Sequence, residues 1–309
     1  MFAWFRRTFP RSNIFRLELN SYWYVVNAYV PYAKMGYQAW VDRLVSMIEA
    51  EGFYVELGKS TQFHGLPCGL NGEPPQPCYP QDWPRIQTPC VYEQASTGIY
   101  ISDTLQMWQL IARRYANNPG VLYNSWSEFK SVCTAPEGHI TDAVWRDHEG
   151  KLIDAIQRVN PRALVFVGGP HSSNSMYPIL GGAACMYEGE CRGTNPDEPD
   201  FTERNVVYDY HIYPRSPPAV QLRNTGRVYI GDIDFARAQQ HGHALMIDEY
   251  GGLSTTQPYL DTLFGRWANK LHIGMAFFEA PNLFHNHGGK AGYILSPIGY
   301  MIQKEYAQP

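Results

Sequence analysis

The sequence lacks the long apolar runs, the strong charge bias and the metal-binding spacings that mark several classes of protein. No run of about 18 apolar residues occurs, so no membrane span is predicted. The 25 Lys and Arg residues nearly balance the 29 Asp and Glu residues, giving a net charge of −4, and no nucleic-acid partner is predicted. No CxxC motif or Cys/His spacing typical of zinc is present, so no metal is expected.

Cysteine concentrates in loop-like stretches rich in proline and glycine. The six cysteines are Cys68, Cys78, Cys90, Cys133, Cys185 and Cys191. An even number of cysteines in such loops predicts disulfides and a secreted protein, although MFAWFRRTFP at the N-terminus lacks the apolar region of a signal peptide. We expect the first two and the last two cysteines to close short local loops, which leaves the middle pair. Six buried free thiols are the alternative.

Strand-like and helix-like segments alternate along the chain, with no composition break that would mark a linker. The predicted strands are 13–19, 53–58, 121–126, 163–169, 206–214, 244–252 and 273–282. Such alternation indicates parallel strands joined by helices, and it predicts one α/β domain over residues 1–309, a TIM-type (β/α)8 barrel. A doubly wound open sheet is the rival, but no Gly-rich phosphate loop follows the first strand. No cofactor is predicted.

The boundaries of several segments can be predicted from capping and breaking residues. Apolar spacing predicts a helix over 35–52 that ends at Gly52, and a second helix over 102–120 with Ser102 as its N-cap. The Cys- and Pro-rich segment from about 60 to 98 is too long for an ordinary connection, and we expect it to form one wall of a substrate cleft. We expect the first barrel strand to be missing or atypical. The start is then either an incomplete reading frame or a gap that is closed by FAWF, a loop or a second chain.

Two apolar strands end in glutamates. VLYNSW leads to Glu128, and ALMIDEYGG contains Glu249. In a barrel, catalytic groups lie at the carboxyl ends of strands, where Arg16, His211 and Tyr213 are also expected. Two glutamates flanked by Arg, His and Tyr are typical of a retaining glycosidase. The cation and the phenol would keep Glu249 ionised, and an apolar setting near a tryptophan would keep Glu128 protonated.

Several motifs in one order resemble glycoside hydrolase family 5, the cellulase and mannanase family of the clan A barrels. NIFRLEL is similar to the family's second strand with its arginine, and VDRLVSMIEAEGFYVEL to the following helix and third strand. IARRYANNPGVLYNSWSE is similar to the lead into the acid/base strand, VVYDYHIYP to the H-x-Y strand, and ALMIDEYGG to the nucleophile strand. The resemblance extends from about residue 13 to the end of the chain.

The resemblance implies a role for each matching residue. Glu128 would be the general acid/base and Glu249 the nucleophile, with their carboxyl groups about 5–5.5 Å apart. Tyr213 would bond to the nucleophile, and His211 would line the −1 sugar site. Strand alternation should turn Asp248 to the face opposite Glu249.

The sequence departs from the family pattern at sugar-binding positions. Ser127 stands where the family has the asparagine that grips the sugar 2-hydroxyl, and Phe278 is the nearest counterpart of the tryptophan floor. Gly58 and Ser60 replace the Asp-x-His of the third strand. Among aromatic residues that could stack on sugars, Trp83 and Trp126 are the preferred candidates, although core packing is the alternative for each.

These observations predict a secreted, monomeric or homodimeric retaining glycosidase that cleaves β-linked glucan or mannan, with a polysaccharide or oligosaccharide as its partner. Two alternatives stay open because of the altered sugar-binding positions. One is a catalytically weak barrel that binds carbohydrate, and the other is a hydrolase of an unusual β-glycoside. The HGH and HNH histidines are typical of surface loops rather than of metal sites.

Overall fold

The computed structural model describes residues 1–60, 99–127, 142–169, 173, 201, 204–213, 235, 238–240, 242–251, 255–278, 283–286 and 293–307. Several predictions concern residues outside these ranges. They are the acid/base Glu128, the aromatic candidate Trp83, the loop over 61–98 and all six cysteines. The predicted disulfides, the predicted cleft wall and the predicted roles of Glu128 and Trp83 are therefore not tested by the structure.

Helices and strands alternate as expected. The helices are α1 (Phe2–Thr8), α2 (Ser21–Val25), α3 (Tyr37–Glu49), α4 (Ile99–Arg114), α5 (Asp142–Gln157), α6 (Gln257–Thr262), α7 (Asn269–Leu271) and α8 (Pro297–Ala307). The strands are β1 (Ile14–Leu19), β2 (Tyr29–Val30), β3 (Met35–Gly36), β4 (Tyr54–Ser60), β5 (Val121–Ser127), β6 (Val165–Gly168), β7 (Val206–Ile212), β8 (Ala244–Gly251), β9 (Gly274–Phe278), β10 (Phe284–Asn286) and β11 (Tyr293–Leu295). All seven predicted strands are present.

The chain divides into two compact units. The terminal unit comprises Met1–Phe15, Ala50–Phe53 and Ser173–Pro309, and the central unit comprises Arg16–Glu49 and Tyr54–Ser172. In the central unit β4 pairs with β5 and β5 with β6, and in the terminal unit β7 pairs with β8 and β8 with β9, all in parallel. The order in each unit follows the chain, which is the arrangement from which (β/α) barrels are built.

The central unit is held by apolar faces packed between helices and strands. Along α3 the buried residues recur at helical spacing, at Tyr37, Val41, Val45 and Ile48. Each fully buried aliphatic side chain of this kind contributes about 1.5–3 kcal/mol. Gly52 adopts a positive φ of 78° in the turn between α3 and β4, which suits the residue predicted to end this helix.

Aromatic contacts hold the N-terminal helix in the terminal unit. Phe5 of α1 packs edge-on against Phe15, with ring centroids 5.1 Å apart, and Phe15 packs on Phe53 at 4.8 Å. Trp4 contacts Tyr293 at 5.6 Å. The FAWF segment, one candidate for an atypical first strand, is therefore helical and belongs to the core of this unit.

Short local structures differ from the predictions. The predicted N-cap Ser102 lies inside α4, because the helix begins at Ile99. Met35 and Gly36, predicted as the start of a helix, form a strand with β2. Asn27 explains this hairpin, since its amide oxygen accepts a hydrogen bond from the Gln38 amide. Only a glycine at position 36 leaves room for that side chain, because an added Cβ would lie 2.5 Å from it.

The helical segment 257–271 contains a π-helical stretch. This stretch covers Leu263–Ala268, between α6 and α7. Such stretches insert an extra residue into the helical turn, and spacing alone does not show them. Among the described residues, no helix has the length and apolar character needed to cross a membrane.

Candidate active site

Strand β7 presents polar side chains on one face and aromatic side chains on the other. The ring of Tyr210 packs on Phe235, with centroids 5.5 Å apart. Because side chains alternate along a strand, Asp209 and His211 lie on the opposite face. Both are buried. The strand therefore brings two charged or titratable side chains to the same side of the sheet, two residues apart.

Glu249 of β8 receives two contacts from β7 and the residue after it. The Tyr213 hydroxyl donates a hydrogen bond to Glu249 Oε2, and His211 Nδ1 lies 3.2 Å from the same oxygen. Glu249 is 6% exposed. Two contacts on one carboxylate oxygen restrict the rotation of the carboxylate. This is the contact of Tyr213 with Glu249 that the family resemblance implied.

Asp248 lies on the same side as Asp209 and His211. Tyr210 pairs with Ile247, but His211 pairs with Glu249, so Asp248 is an extra residue in β8. One side-chain ligand atom from each of Asp209, His211 and Asp248 lies within 4.8 Å of the others. The prediction that alternation turns Asp248 away is wrong, because the bulge interrupts the alternation.

Those three side chains also form a group whose atoms could share a cation. One nitrogen and two carboxylate oxygens are a donor set that transition metals accept. In this structure His211 Nδ1 faces Glu249, and Nε2 lies 3.4 Å from Asp209 Oδ2. Both ring nitrogens thus face carboxylates, and binding a metal would require His211 to give up one of these contacts.

Aromatic side chains flank the Glu249 set. The ring of Phe278 packs edge-on against Tyr213, with centroids 6.1 Å apart. The predicted counterpart of the sugar floor is therefore a neighbour of the residue that contacts Glu249. Gly251, two residues after Glu249, has a φ of 112°, and a Cβ there would lie 2.3 Å from Phe277. Glycine at this position lets the strand end close to that ring.

Arg16 organises a second set, in the central unit. Its guanidinium lies 2.5 Å from Glu18 and 3.6 Å from the fully buried Glu56. It also donates a hydrogen bond to the hydroxyl of Ser127. Asn124 donates to the same oxygen of Glu56 at 2.9 Å. One cation is thus shared among two carboxylates and a hydroxyl in a largely buried setting.

The glycine of the third-strand motif has a packing reason. A Cβ at Gly58 would lie 3.3 Å from Arg16 Nε and 3.4 Å from a carboxylate oxygen of Glu18. The first of these separations is tighter than an ordinary van der Waals contact, and the second is at its lower limit. The absence of a side chain at position 58 therefore leaves space for the ion pair of β1.

Trp126 is enclosed rather than presented to solvent. It is 1% exposed, the Lys59 ammonium lies 4.4 Å from its ring centroid, and the His148 ring lies 5.0 Å away. The predicted role of Trp126 as a sugar platform is contradicted by this burial, because its ring offers no exposed face. A cation over an indole is a favourable contact that stabilises the buried ammonium.

Burial shifts the titration of the two basic neighbours of Trp126. It lowers the pKa of Lys59 to about 7, against the opposing influence of Glu18. It also lowers the pKa of His148 to about 3, with a further contribution from the charge of Lys151. His148 is therefore neutral near neutral pH, and Lys59 is poised to change charge there.

The structure brings the predicted site residues into two groups. His211, Tyr213, Glu249 and Phe278 lie together in the terminal unit, and Arg16 and Ser127 lie together in the central unit. The predicted effect of Arg16 on Glu249 stays a prediction.

Several members of these groups were not predicted from the sequence. They are Asp209 beside His211, and Glu18, Glu56 and Asn124 around Arg16, and Lys59 beside Trp126 was also not predicted. The available signal was a charged residue at every second position of an apolar strand, as in the R-x-E of β1 and the D-x-H of β7.

Comparisons with known proteins agree with this arrangement. The profile described as "Cellulase (glycosyl hydrolase family 5)" matches residues 10–281. No curated protein matched the chain at sequence level. Among solved structures, the β-glucanase SdGluc5_26A from Saccharophagus degradans has a TM-score of 0.63 at 17% identity, covering 95% of this chain and 77% of that one. Thermotoga maritima Cel5A in complex with cellobiose has a TM-score of 0.61 at 11% identity, covering 99% and 88%.

A second structure of Thermotoga maritima Cel5A, in complex with mannotriose, has a TM-score of 0.59 at 11% identity, with the same coverage of both chains. Likeness at such low identity establishes the fold, and the predicted TIM-type (β/α)8 class is confirmed. The fold and the strand-end carboxylate of Glu249 define a barrel of the glycoside hydrolase class. The chain belongs to glycosyl hydrolase family 5, and membership supports a glycosidase that binds carbohydrate.

Proposed function

We propose that the protein is a retaining β-glycosidase that cleaves β-linked glucan or mannan by double displacement. The observation that carries this proposal is the pair of contacts on Glu249 Oε2, from the Tyr213 hydroxyl and from His211 Nδ1 at 3.2 Å. A nucleophilic carboxylate must be ionised and held in one orientation, and two donors on one oxygen serve both needs.

In the first step, Glu249 attacks the anomeric carbon and forms a glycosyl-enzyme ester. Glu128 gives its proton to the departing glycosidic oxygen, so that the leaving sugar departs as an alcohol. In the second step, Glu128 takes a proton from water, and the water oxygen attacks the same carbon and releases Glu249. The two inversions give overall retention of configuration.

The substrate class rests on family membership and on what related structures hold. Relatives with this fold are named for complexes with cellobiose and with mannotriose. We therefore propose glucan or mannan with β-1,4 linkages as the first substrates to test. Phe278, beside Tyr213 at 6.1 Å, is the aromatic surface that we assign to the sugar at the −1 site.

A catalytically weak barrel that binds carbohydrate is the second candidate, and a hydrolase of an unusual β-glycoside is a third. The contact of Ser127 with Arg16 favours both over an ordinary cellulase. The serine side chain is shorter than asparagine, and its hydroxyl already accepts a hydrogen bond from the guanidinium. It is therefore a poor substitute for an asparagine that hydrogen-bonds to a sugar 2-hydroxyl.

A screen of β-glucans, β-mannans and aryl β-glycosides separates these candidates. We expect hydrolysis of at least one of them, with NMR of the first-formed product showing the β anomer. Hydrolysis should be lost in Glu249→Gln. Binding of a polysaccharide without turnover by the unaltered protein would favour the binding barrel, and an α product would exclude retention.

A further inference from the structure

His211 lies between two carboxylates in the terminal unit. Its Nδ1 is 3.2 Å from Glu249 Oε2, and its Nε2 is 3.4 Å from Asp209 Oδ2. The His211 and Asp209 side chains are fully buried, and Glu249 is nearly so. Asp248 lies in the same cluster. The ring therefore connects the carboxylate proposed as nucleophile to a second carboxylate that no step of the mechanism uses.

The position of the His211 ring between two carboxylates determines which protonation state of the ring is favourable. A neutral imidazole carries one N–H donor and one acceptor nitrogen. An acceptor nitrogen turned toward a carboxylate oxygen would bring two lone pairs together, which is unfavourable in a buried site. An imidazolium donates from Nδ1 to Glu249 and makes a favourable charge contact from Nε2 to Asp209, where the 3.4 Å separation lacks hydrogen-bond alignment. The flanking acids thus favour the charged ring.

We propose that Asp209 is a positioning residue that acts on Glu249 through His211. Asp209 holds the imidazole in its doubly protonated form and fixes the ring plane, so that Nδ1–H points at Glu249 Oε2. This inference rests on the proposed role of Glu249 as nucleophile. Asp209 itself does not contact the sugar in this account, and its effect passes entirely through the ring.

The titratable groups described around His211 each have a defined part. Asp209 and Tyr213 come from the same stretch of chain as His211, and Asp248 and Glu249 come from β8. Tyr213 donates to Glu249 Oε2 as His211 does. Asp248 adds a further negative charge near the ring and supports its protonation. Asp209 is singled out because its Oδ2 lies 3.4 Å from Nε2, on the same face of the same strand.

The first test measures the ring itself. The full-length protein labelled with ¹⁵N-histidine is observed by NMR at pH 7, with His211 assigned by the signal lost in His211→Gln. We expect the two ring nitrogens of His211 to show the shifts of an imidazolium. In Asp209→Asn the charged fraction of the ring at pH 7 should fall, and Asp209→Glu should restore it at least in part. A neutral ring in the unaltered protein would overturn the proposal.

The second test measures catalysis on the substrate found in the screen. We expect Asp209→Asn to lower kcat about 10- to 100-fold, with KM changed by less than about threefold, because the lost charge matters after the sugar is bound. Asp42→Asn is the matched control. Asp42 accepts a hydrogen bond from Tyr115 at 2.6 Å and pairs with Arg114 in the central unit, so this variant also removes a paired aspartate.

The outcomes are distinct. A kcat in Asp209→Asn equal to that of the control, with the fold intact by circular dichroism, would overturn the positioning role. If Asp209→Asn does not fold, Asp209→Glu and the ring signals of the unaltered protein still decide. If no glycoside is hydrolysed by the unaltered protein, the proposed function fails, whereas the NMR experiment still reports whether Asp209 charges His211.

Discussion

The terminal and central units arrange their charges in opposite ways. In the terminal unit, donors converge on one acid, since Tyr213 and His211 both contact Glu249 Oε2. In the central unit, acceptors converge on one cation, since Glu18, Glu56 and Ser127 all contact Arg16. The first arrangement orients the carboxylate that we propose as the nucleophile, and the second stabilises a buried guanidinium.

The two units also differ in which parts of the family's sequence motifs they contain. The terminal unit holds the family's nucleophile strand and H-x-Y strand in the geometry that the proposed reaction needs. The central unit contains two of the departures, Ser127 and Gly58, and each has a local hydrogen-bonding or packing reason. The departure at Phe278 lies in the terminal unit, beside Tyr213. We infer that the terminal unit keeps the surroundings of the proposed nucleophile, and that the contacts of Ser127 in the central unit differ from those of the family asparagine.

The largest effect is expected from Glu249→Gln. This change keeps the shape but removes the charge that attacks the anomeric carbon, so kcat should fall by about 1,000-fold or more. Steady-state kinetics on the best substrate check it. Glu305→Gln is the matched control, because Glu305 is a buried glutamate of the same unit that accepts a bond from Gln257 at 2.7 Å. Equal activity in both variants would contradict the assignment.

Tyr213→Phe should have the next largest effect. The variant keeps the ring that packs on Phe278 and removes only the hydroxyl that donates to Glu249. We expect kcat to fall about 10- to 100-fold with the melting temperature nearly unchanged, because one charge-assisted hydrogen bond contributes about 1.5–3 kcal/mol. An unchanged kcat would mean that His211 alone suffices to hold the carboxylate.

Lys59→Met tests whether the buried ammonium of Lys59 lowers the stability of the central unit. The pKa of Lys59 is lowered by burial from 10.5 to about 7. Between pH 7 and pH 10.5 Lys59 binds more protons in the unfolded chain than in the folded protein, so its contribution to stability becomes more favourable as the pH rises. Below pH 7 the lysine is charged in both states and its burial destabilises the fold most. We expect the variant to be about 2 kcal/mol more stable at pH 6, after the loss of the contact with Trp126 is subtracted.

Chemical denaturation at pH 6 and pH 10 measures this difference. The advantage of Lys59→Met should shrink at pH 10, where the unaltered lysine is neutral in the folded protein. Lys151→Met is the control, since Lys151 is exposed and pairs with Asp147 on the surface of α5. A stability difference that does not change with pH would show that Lys59 is not titrating as described.

Ser127→Asn should have the smallest effect and the opposite sign. An asparagine restores an amide that can donate to a sugar 2-hydroxyl, while its oxygen can still accept from Arg16. We expect kcat on a β-glucan to rise about tenfold. Ser127→Ala is the companion variant, and it should not raise activity. An unchanged or lower kcat in Ser127→Asn, with the fold intact, would mean that this position serves a different sugar.

Periodicity and strand-end acids were sufficient to predict the seven strands, the fold class and the group around Glu249. Local deviations escaped prediction because they depend on single contacts. The β-bulge that places Asp248 beside His211 and the π-helical stretch in 263–268 leave no trace in hydrophobic spacing. The burial of Trp126 depends on Lys59 and His148, which are far from it in sequence. Ser102 was misassigned because α4 begins before it.

The central claim is that Glu249 forms a covalent bond to the sugar. An activated 2-deoxy-2-fluoro β-glycoside of the preferred sugar slows both steps, and its good leaving group lets the ester accumulate. Intact-protein mass spectrometry should show the addition of one fluorosugar, and peptide mapping should place it on Glu249. Glu249→Gln should remain unlabelled. Hydrolysis of the natural substrate with no trapped ester and an α product, or a label on a different residue, would contradict the account.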